Sequence, residues 1–177
     1  MARPDQALKQ ADTPDGYVHS RIAPPAPQRR SSVIDDNRDV AMASAPYLYP
    51  ITVGPADIDF MGHANNATYL TWVQEAVIDH WRSIAPPDAV AQHLWVALSH
   101  EIEYLRPAFL GDHLVAAVVL EKVQGARAFY DTIIRRGDEI VVRARSCWCC
   151  VDAKTHRAVR LARDIVDLFF PKAEAVA

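Results

Sequence analysis

Between Asp57 and Tyr69 the chain gathers side chains that hydrolytic chemistry uses. They are the carboxylates Asp57 and Asp59, Gly62, the imidazole of His63, the amides Asn65 and Asn66, and the phenol Tyr69. A helical pattern opens directly after Asn66. The first turn of a helix carries backbone N–H groups without intrahelical partners and sits at the positive end of the helix dipole. The N–H groups of Asn66, Ala67 and Thr68 are therefore placed to hold the oxyanion that develops when a carbonyl is attacked. Asp59 stands upstream across a turn containing Gly62 and can reach the same carbonyl from the other side. Gly62 permits either a close backbone approach or the positive φ that such a turn requires.

Each of these residues also has a plainer use. Aspartates make Asx turns, a histidine bonds a nearby carbonyl, and Asn65 or Asn66 is a good helix N-cap. A plain turn does not need all of them together in one register. Asp57 keeps the plain reading, because in a locally extended run its side chain points away from that of Asp59. Other hydrolytic machinery is missing from the sequence. It contains no Gly-x-Ser-x-Gly elbow, and His100-Glu101 lacks a second histidine at zinc-protease spacing.

The elements that must hold these residues can be read from periodicity. Tyr47 to Val53 is strand-prone, and Pro50 confines it to an edge or an irregular strand. Residues 67–82 read as a helix. Thr71, Glu75, Asp79 and Arg82 form one polar stripe, while Tyr69, Leu70, Trp72, Val73, Ala76, Val77 and Trp81 cover the rest. So wide an apolar face belongs to a helix mostly enclosed by other structure. Pro86-Pro87 stops its continuation. Four strands are predicted after it, over 94–104, 113–123, 127–136 and 139–151. The first alternates and is half exposed, the second is apolar on both faces and central, and the last two form a hairpin around Gly137-Asp138. Leu161 to Phe169 reads as a short helix or a docking tail. One antiparallel sheet around one apolar helix accounts for these patterns, an α+β layout. Trp72, Trp81 and Trp95 are core candidates.

Composition narrows the rest. The 177 residues suit one domain with a real core, and the net charge of −3 offers no basic field for nucleic acid. An anionic ligand must therefore be held by local donors. Cys147, Cys149 and Cys150 crowd together with no distant partner, which argues against a disulfide framework and against a tetrahedral zinc site. They read as small buried strand residues in a reducing compartment, so no metal or cofactor is expected. No membrane span and no secretory leader is evident, and a cytoplasmic protein is expected. Residues 1–45 are proline-rich, with six acidic and six basic residues, and read as a disordered extension. The folded domain is expected over 46–171, with a short tail at 172–177.

The Asp57-x-Asp59-x-x-Gly62-His63-x-Asn65-Asn66-x-x-Tyr69 spelling resembles the signature of the hotdog-fold acyl-CoA thioesterases of the 4-hydroxybenzoyl-CoA thioesterase family. Tyr104-x-x-Pro107 followed by Gly111-Asp112 is similar to that family's second-strand exit, and the likeness runs over roughly 47–170. The resemblance implies a sheet wrapped around a long central helix and hydrolysis of an acyl-CoA substrate to free acid and coenzyme A, in lipid metabolism. It implies that Asp59 is the catalytic carboxylate, as general base or as nucleophile. The backbone amide of Asn66 then polarises the thioester carbonyl, and His63 and Asn65 position the reactants. Gly62, Ala67 and Tyr69 complete the binding loop, and Glu75 matches a helix glutamate used in another branch of the fold. Where the plant acyl-carrier-protein thioesterases carry an asparagine, this chain has Met61. Arg106, Arg143 and Arg145 are candidates to meet coenzyme A phosphates. The family also implies a homodimer or homotetramer with its active site between subunits. Two alternatives stay open: a non-catalytic acyl-CoA-binding module, and a hotdog hydratase or dehydratase.

Overall fold

The computed structural model describes residues 44–170. The expectations for residues 1–45 and for the tail at 172–177 fall almost entirely outside them. The chain runs β1 (Tyr47–Thr52), a single 3-10 turn (Pro55–Asp57), α1 (Asn66–Ile84), α2 (Pro87–Gln92), β2 (His93–Tyr104), β3 (His113–Gln124), β4 (Arg127–Arg136), β5 (Glu139–Asp152) and α3 (Arg163–Asp167). The strands form one sheet in the order β1-β3-β4-β5-β2, with every pairing antiparallel. α1 packs on one of its faces. This is the wrapped-helix layout expected from the hotdog resemblance.

The physical reasons for the elements are local. α1 starts at Asn66 because Asn65 caps it, accepting the Ala67 N–H on Oδ1 at 2.8 Å. Its buried face is Tyr69, Trp72, Val73, Ala76, Val77, His80 and Trp81. Each large apolar side chain so enclosed contributes about 1.5–3 kcal/mol. The sheet answers with one side of each strand. Ala128, Tyr130, Thr132 and Ile134 of β4 and Val142, Ala144, Ser146, Trp148 and Cys150 of β5 are buried. The intervening residues, Arg143 and Arg145 among them, point away from the helix.

Three points refine the reading of the sequence. β3 is an interior strand, as its two apolar faces require, but β4 holds the middle of the sheet. β2 does not neighbour β3. Among the described residues it pairs only with β5 and forms the far edge, so the four later strands are not a simple meander. Pro86-Pro87 does end α1, yet Pro87 also starts α2, where a proline at the first helical position costs nothing because that N–H has no partner anyway. The Leu161–Phe169 stretch is both things expected of it: α3 is short, and the buried Phe169 docks on the core. Among the cysteines, Cys150 lies on the helix side and burial pushes its thiol up to about 12, while Cys147 and Cys149 are half-buried. None is in a disulfide.

Candidate active site

The Asp57–Asn65 segment is a small closed loop held by its own backbone. Asp59 N–H donates to His63 C=O at 3.0 Å, Gly62 N–H to Asp59 C=O at 3.1 Å, and Asn65 N–H to Asp57 C=O at 2.8 Å. The Asp57 carboxylate receives the Gly54 N–H at 2.8 Å and has the plain turn role expected of it, but it sits in the 3-10 turn and not in an extended run. Gly62 sits at φ +81°, and a Cβ there would meet open space. It is the dihedral, not a close approach, that requires glycine. A second clamp ties this loop to the β2–β3 connection, where Ala64 N–H donates to Ala108 C=O at 2.8 Å.

This loop brings Asp59 and His63 together. The Asp59 carboxylate accepts the Met61 N–H on Oδ1 at 2.8 Å, and the same oxygen lies 3.9 Å from His63 Nδ1. Both side chains stay accessible, at 15 % for Asp59 and 28 % for His63. His63 then faces an open cleft of about 200 Å³, whose walls include Asn66, Tyr69, Tyr104, Arg106 and Pro107. Asp59 does not line this cleft itself; it stands behind His63.

The helix start holds one donor for this cleft rather than three. Asn65 Oδ1 takes the Ala67 N–H, and Asn65 C=O takes the Thr68 N–H at 2.9 Å. An efficient N-cap satisfies these orphan donors by the same chemistry that would bind an oxyanion. Among the described residues, the Asn66 N–H is left without an acceptor. Ala67 thus serves through its capped amide in shaping the helix start. Tyr69 contributes a wall: its ring is buried, its hydroxyl accepts the Ala108 N–H at 3.0 Å, and burial holds its pKa above the ordinary value.

Glu75 is elsewhere. It lies on the polar stripe of α1, its carboxylate 3.5 Å from the Tyr49 hydroxyl of β1, and it does not line the cleft. Tyr104 is the residue that reading by segment treated only as part of a strand. Its hydroxyl donates to Asn66 C=O at 3.0 Å and pins the first residue of α1 beside the cleft. The Tyr104-x-x-Pro107 spelling was the signal for it. Behind the cleft, Arg136 is bound by both Asp112 (Nη1 to Oδ2, 2.6 Å) and Glu139, and it donates to Pro107 C=O at 3.4 Å. Burial alone would raise the Asp112 carboxyl, but the Phe109 N–H and Arg136 hold it below the usual range. A larger groove of about 600 Å³ crosses the opposite face of the sheet, lined by Glu101, Glu103, Asp131, Arg143 and Arg145. Nothing of the loop or of α1 contributes to it. Among the described residues no group of three or more His, Cys, Asp or Glu side chains is arranged to hold a metal. Among these residues, too, no helix is long and apolar enough to cross a membrane.

The family model of the thioesterase-like superfamily matches residues 53–169, which takes in the loop, α1 and every later strand. The chain belongs to that superfamily. The hydrolase class and the hotdog fold expected from the signature are both borne out by this membership. The long-chain acyl-CoA thioesterase FadM of Escherichia coli (strain K12) is 29 % identical over 115 residues, covering 61 % of this chain and 85 % of FadM. Among solved structures, the probable thioesterase YbaW of Escherichia coli is 26 % identical with a TM-score of 0.58, covering 70 % of this chain and 98 % of that one. SAV2348 of Staphylococcus aureus, solved in complex with CoA, shares the fold at a TM-score of 0.63 and 16 % identity, over 73 % of this chain and 85 % of that one.

Proposed function

We propose that this superfamily member hydrolyses acyl-CoA thioesters to a free acid and coenzyme A, with Asp59 as general base. The observation that carries the reading is that His63 and Asn66, whose N–H has no acceptor among the described residues, line one cleft at the start of α1, with the Asp59 carboxylate 3.9 Å from His63 Nδ1. The thioester carbonyl oxygen points at the Asn66 N–H, which stabilises the oxyanion. Water held between Asp59 and the carbonyl carbon loses its proton to the carboxylate as it attacks. The C–S bond then breaks, and the proton passes from Asp59 to the departing thiolate. The setback of Asp59 behind His63 supports a water between carboxylate and carbonyl, and so a base rather than a nucleophile. His63 orients the reactants, while Asn65, Gly62 and Tyr69 fix the loop and the cleft wall.

A second copy of the chain completes the site in this reading. Among the described residues, β2 leaves one edge of twelve residues unpaired, with Leu94, Val96 and Leu98 exposed along it. Such an edge is a template for pairing with another chain. Phe60, at the tip of the loop, is 97 % exposed beside Met61, an apolar rim that a partner subunit would cover. We place the protein as a homodimer or homotetramer with its sites between subunits.

Hydrolysis of a panel of short, long and aromatic acyl-CoAs tests the function. FadM's substrate class puts long aliphatic chains first. Loss of thioester absorbance is the suitable readout, because the three native cysteines would react with a thiol reagent. Turnover on at least one member is expected. Tight binding without turnover would favour a binding module, and hydration of an enoyl-CoA without thiol release would favour a hydratase. Single turnover in heavy-oxygen water would place label in Asp59 only if it were the nucleophile, and none is expected there.

A further inference from the structure

We infer that Tyr104 is the positioning residue that holds the Asn66 N–H in place as the oxyanion donor of this site. The inference rests on the thioester-hydrolysis reading and deepens it. With one donor left at the start of α1, the rate depends on where that N–H points, because a donor helps only when it is aimed before the charge develops. Helix ends fray, and Asn66 is the first residue of α1. The two peptide groups around it are held by neighbours instead. In the group before it, the Asn65 C=O accepts the Thr68 N–H at 2.9 Å, which leaves the Asn66 N–H as its open side. In the group after it, Asn65 Oδ1 takes the Ala67 N–H at 2.8 Å, and the Tyr104 hydroxyl donates to the Asn66 C=O at 3.0 Å. Both dihedrals of Asn66 are thereby set.

Of these partners only Tyr104 belongs to neither the loop nor the helix. It is the last residue of β2 and pairs with Val142 of β5, so it ties the donor to the sheet. Its ring meets that of Tyr69 edge-on with centroids 5.5 Å apart, and Tyr69 meets the buried Trp72 at 4.9 Å. A tyrosine has two side-chain torsions, and a ring packed in this way delivers its hydroxyl to a fixed point. Tyr104 lines the cleft with Asn66 and is 44 % exposed. A hydroxyl bond so open to solvent contributes little to folding, because water takes its place. Water does not hold a peptide group at one angle, so the same bond matters to the rate. Losing an oxyanion donor outright costs about a hundredfold or more in kcat, and loosening one costs part of that.

Tyr104→Phe keeps the ring and removes only the hydroxyl. On an acyl-CoA that the wild type hydrolyses, kcat should fall about tenfold, with KM within about twofold and the melting temperature within about 2 °C. Tyr49→Phe removes a hydroxyl that faces Glu75 outside the cleft, and it should leave both constants as in wild type. Backbone amide relaxation by NMR reads the donor without turnover. The order parameter of the Asn66 N–H should stand near the rigid value of about 0.85 in wild type and drop toward about 0.6 in Tyr104→Phe, with the mid-helix Ala76 amide unchanged. An order parameter that stays in place would overturn the inference, as would a drop without any fall in kcat. A loss carried by KM alone, or an equal fall of kcat in Tyr49→Phe, would overturn it too. A wild type that hydrolyses no acyl-CoA, with the Asn66 amide loosened in the variant, would sink the hydrolase reading and leave the tether standing.

Discussion

The two ends of α1 belong to one helix and are built on opposite principles. At its start, the cleft is open, the side chains are polar and partly exposed, and the Asn66 N–H has no acceptor among the described residues. At its end, everything is closed by aromatic packing. His80 stacks on Tyr47 with ring centroids 5.3 Å apart and meets Tyr130 and Phe169 edge-on, while Trp81 stacks on Phe169 at 5.7 Å and meets Trp95 at 5.5 Å. At the start the Asn66 N–H has no acceptor among the described residues, and at the end His80 Nδ1 and Trp81 Nε1 are buried without a partner. Only the first has solvent and a charged neighbour. Burial without a partner pushes the His80 imidazole down to about 4, so near neutral pH it is an uncharged core residue. An unsatisfied polar group signals chemistry only where a reactant can reach it.

The comparison predicts that stability and rate separate along the helix. Phe169→Ala opens a cavity against Trp81 and His80, and it should cost about 3–5 kcal/mol of stability. Denaturant unfolding measures this, and a loss below about 1 kcal/mol would mean the closed end is not packed as described. His80 gives the pH counterpart. Its folded value of about 4 lies below the unfolded 6.5, so the unfolded chain binds more protons between the two. Stability from this residue is complete above pH 6.5 and falls by up to roughly 3 kcal/mol as pH drops to 4. The melting temperature of His80→Phe should fall less steeply than that of wild type over this window. Equal slopes would contradict the assignment.

At the open end the effects on stability are smaller. Gly62→Ala forces a side chain into φ +81° and should cost about 1–2 kcal/mol by thermal unfolding, with a loss of rate as Asp59 is displaced. Asn65→Ala removes the cap on Ala67 and should cost about 1 kcal/mol. An unchanged melting temperature in both variants would show that the loop is not set by these two residues.

Much of this was legible in the sequence. The width of the apolar face on α1 announced a wrapped helix, and Gly137, at φ +57°, marked the β4–β5 hairpin. Pro50 kept β1 at the edge, where it pairs with β3 alone. The remainder depends on closure of the chain. That β2 joins β5 across the sheet is a long-range pairing that no local pattern encodes. The Tyr104 bond to Asn66 C=O exists only once that strand has returned beside the helix start. The loss of two expected oxyanion donors had a different origin. Asn65 was recognisable as a cap, and a cap consumes the very amides that a free helix terminus would offer. Pro87 marks a helix stop and a helix start with one letter, so α2 could not be read from it.

The proposed mechanism requires that the Asp59 carboxylate carries the reaction and little of the fold. Its most direct test is kcat and melting temperature measured together for wild type and Asp59→Asn on an acyl-CoA that the wild type hydrolyses. We expect kcat to fall by about two decades or more, as for loss of a general base, while the melting temperature stays within about 2 °C. A folded Asp59→Asn protein that keeps kcat within about threefold of wild type would contradict the claim.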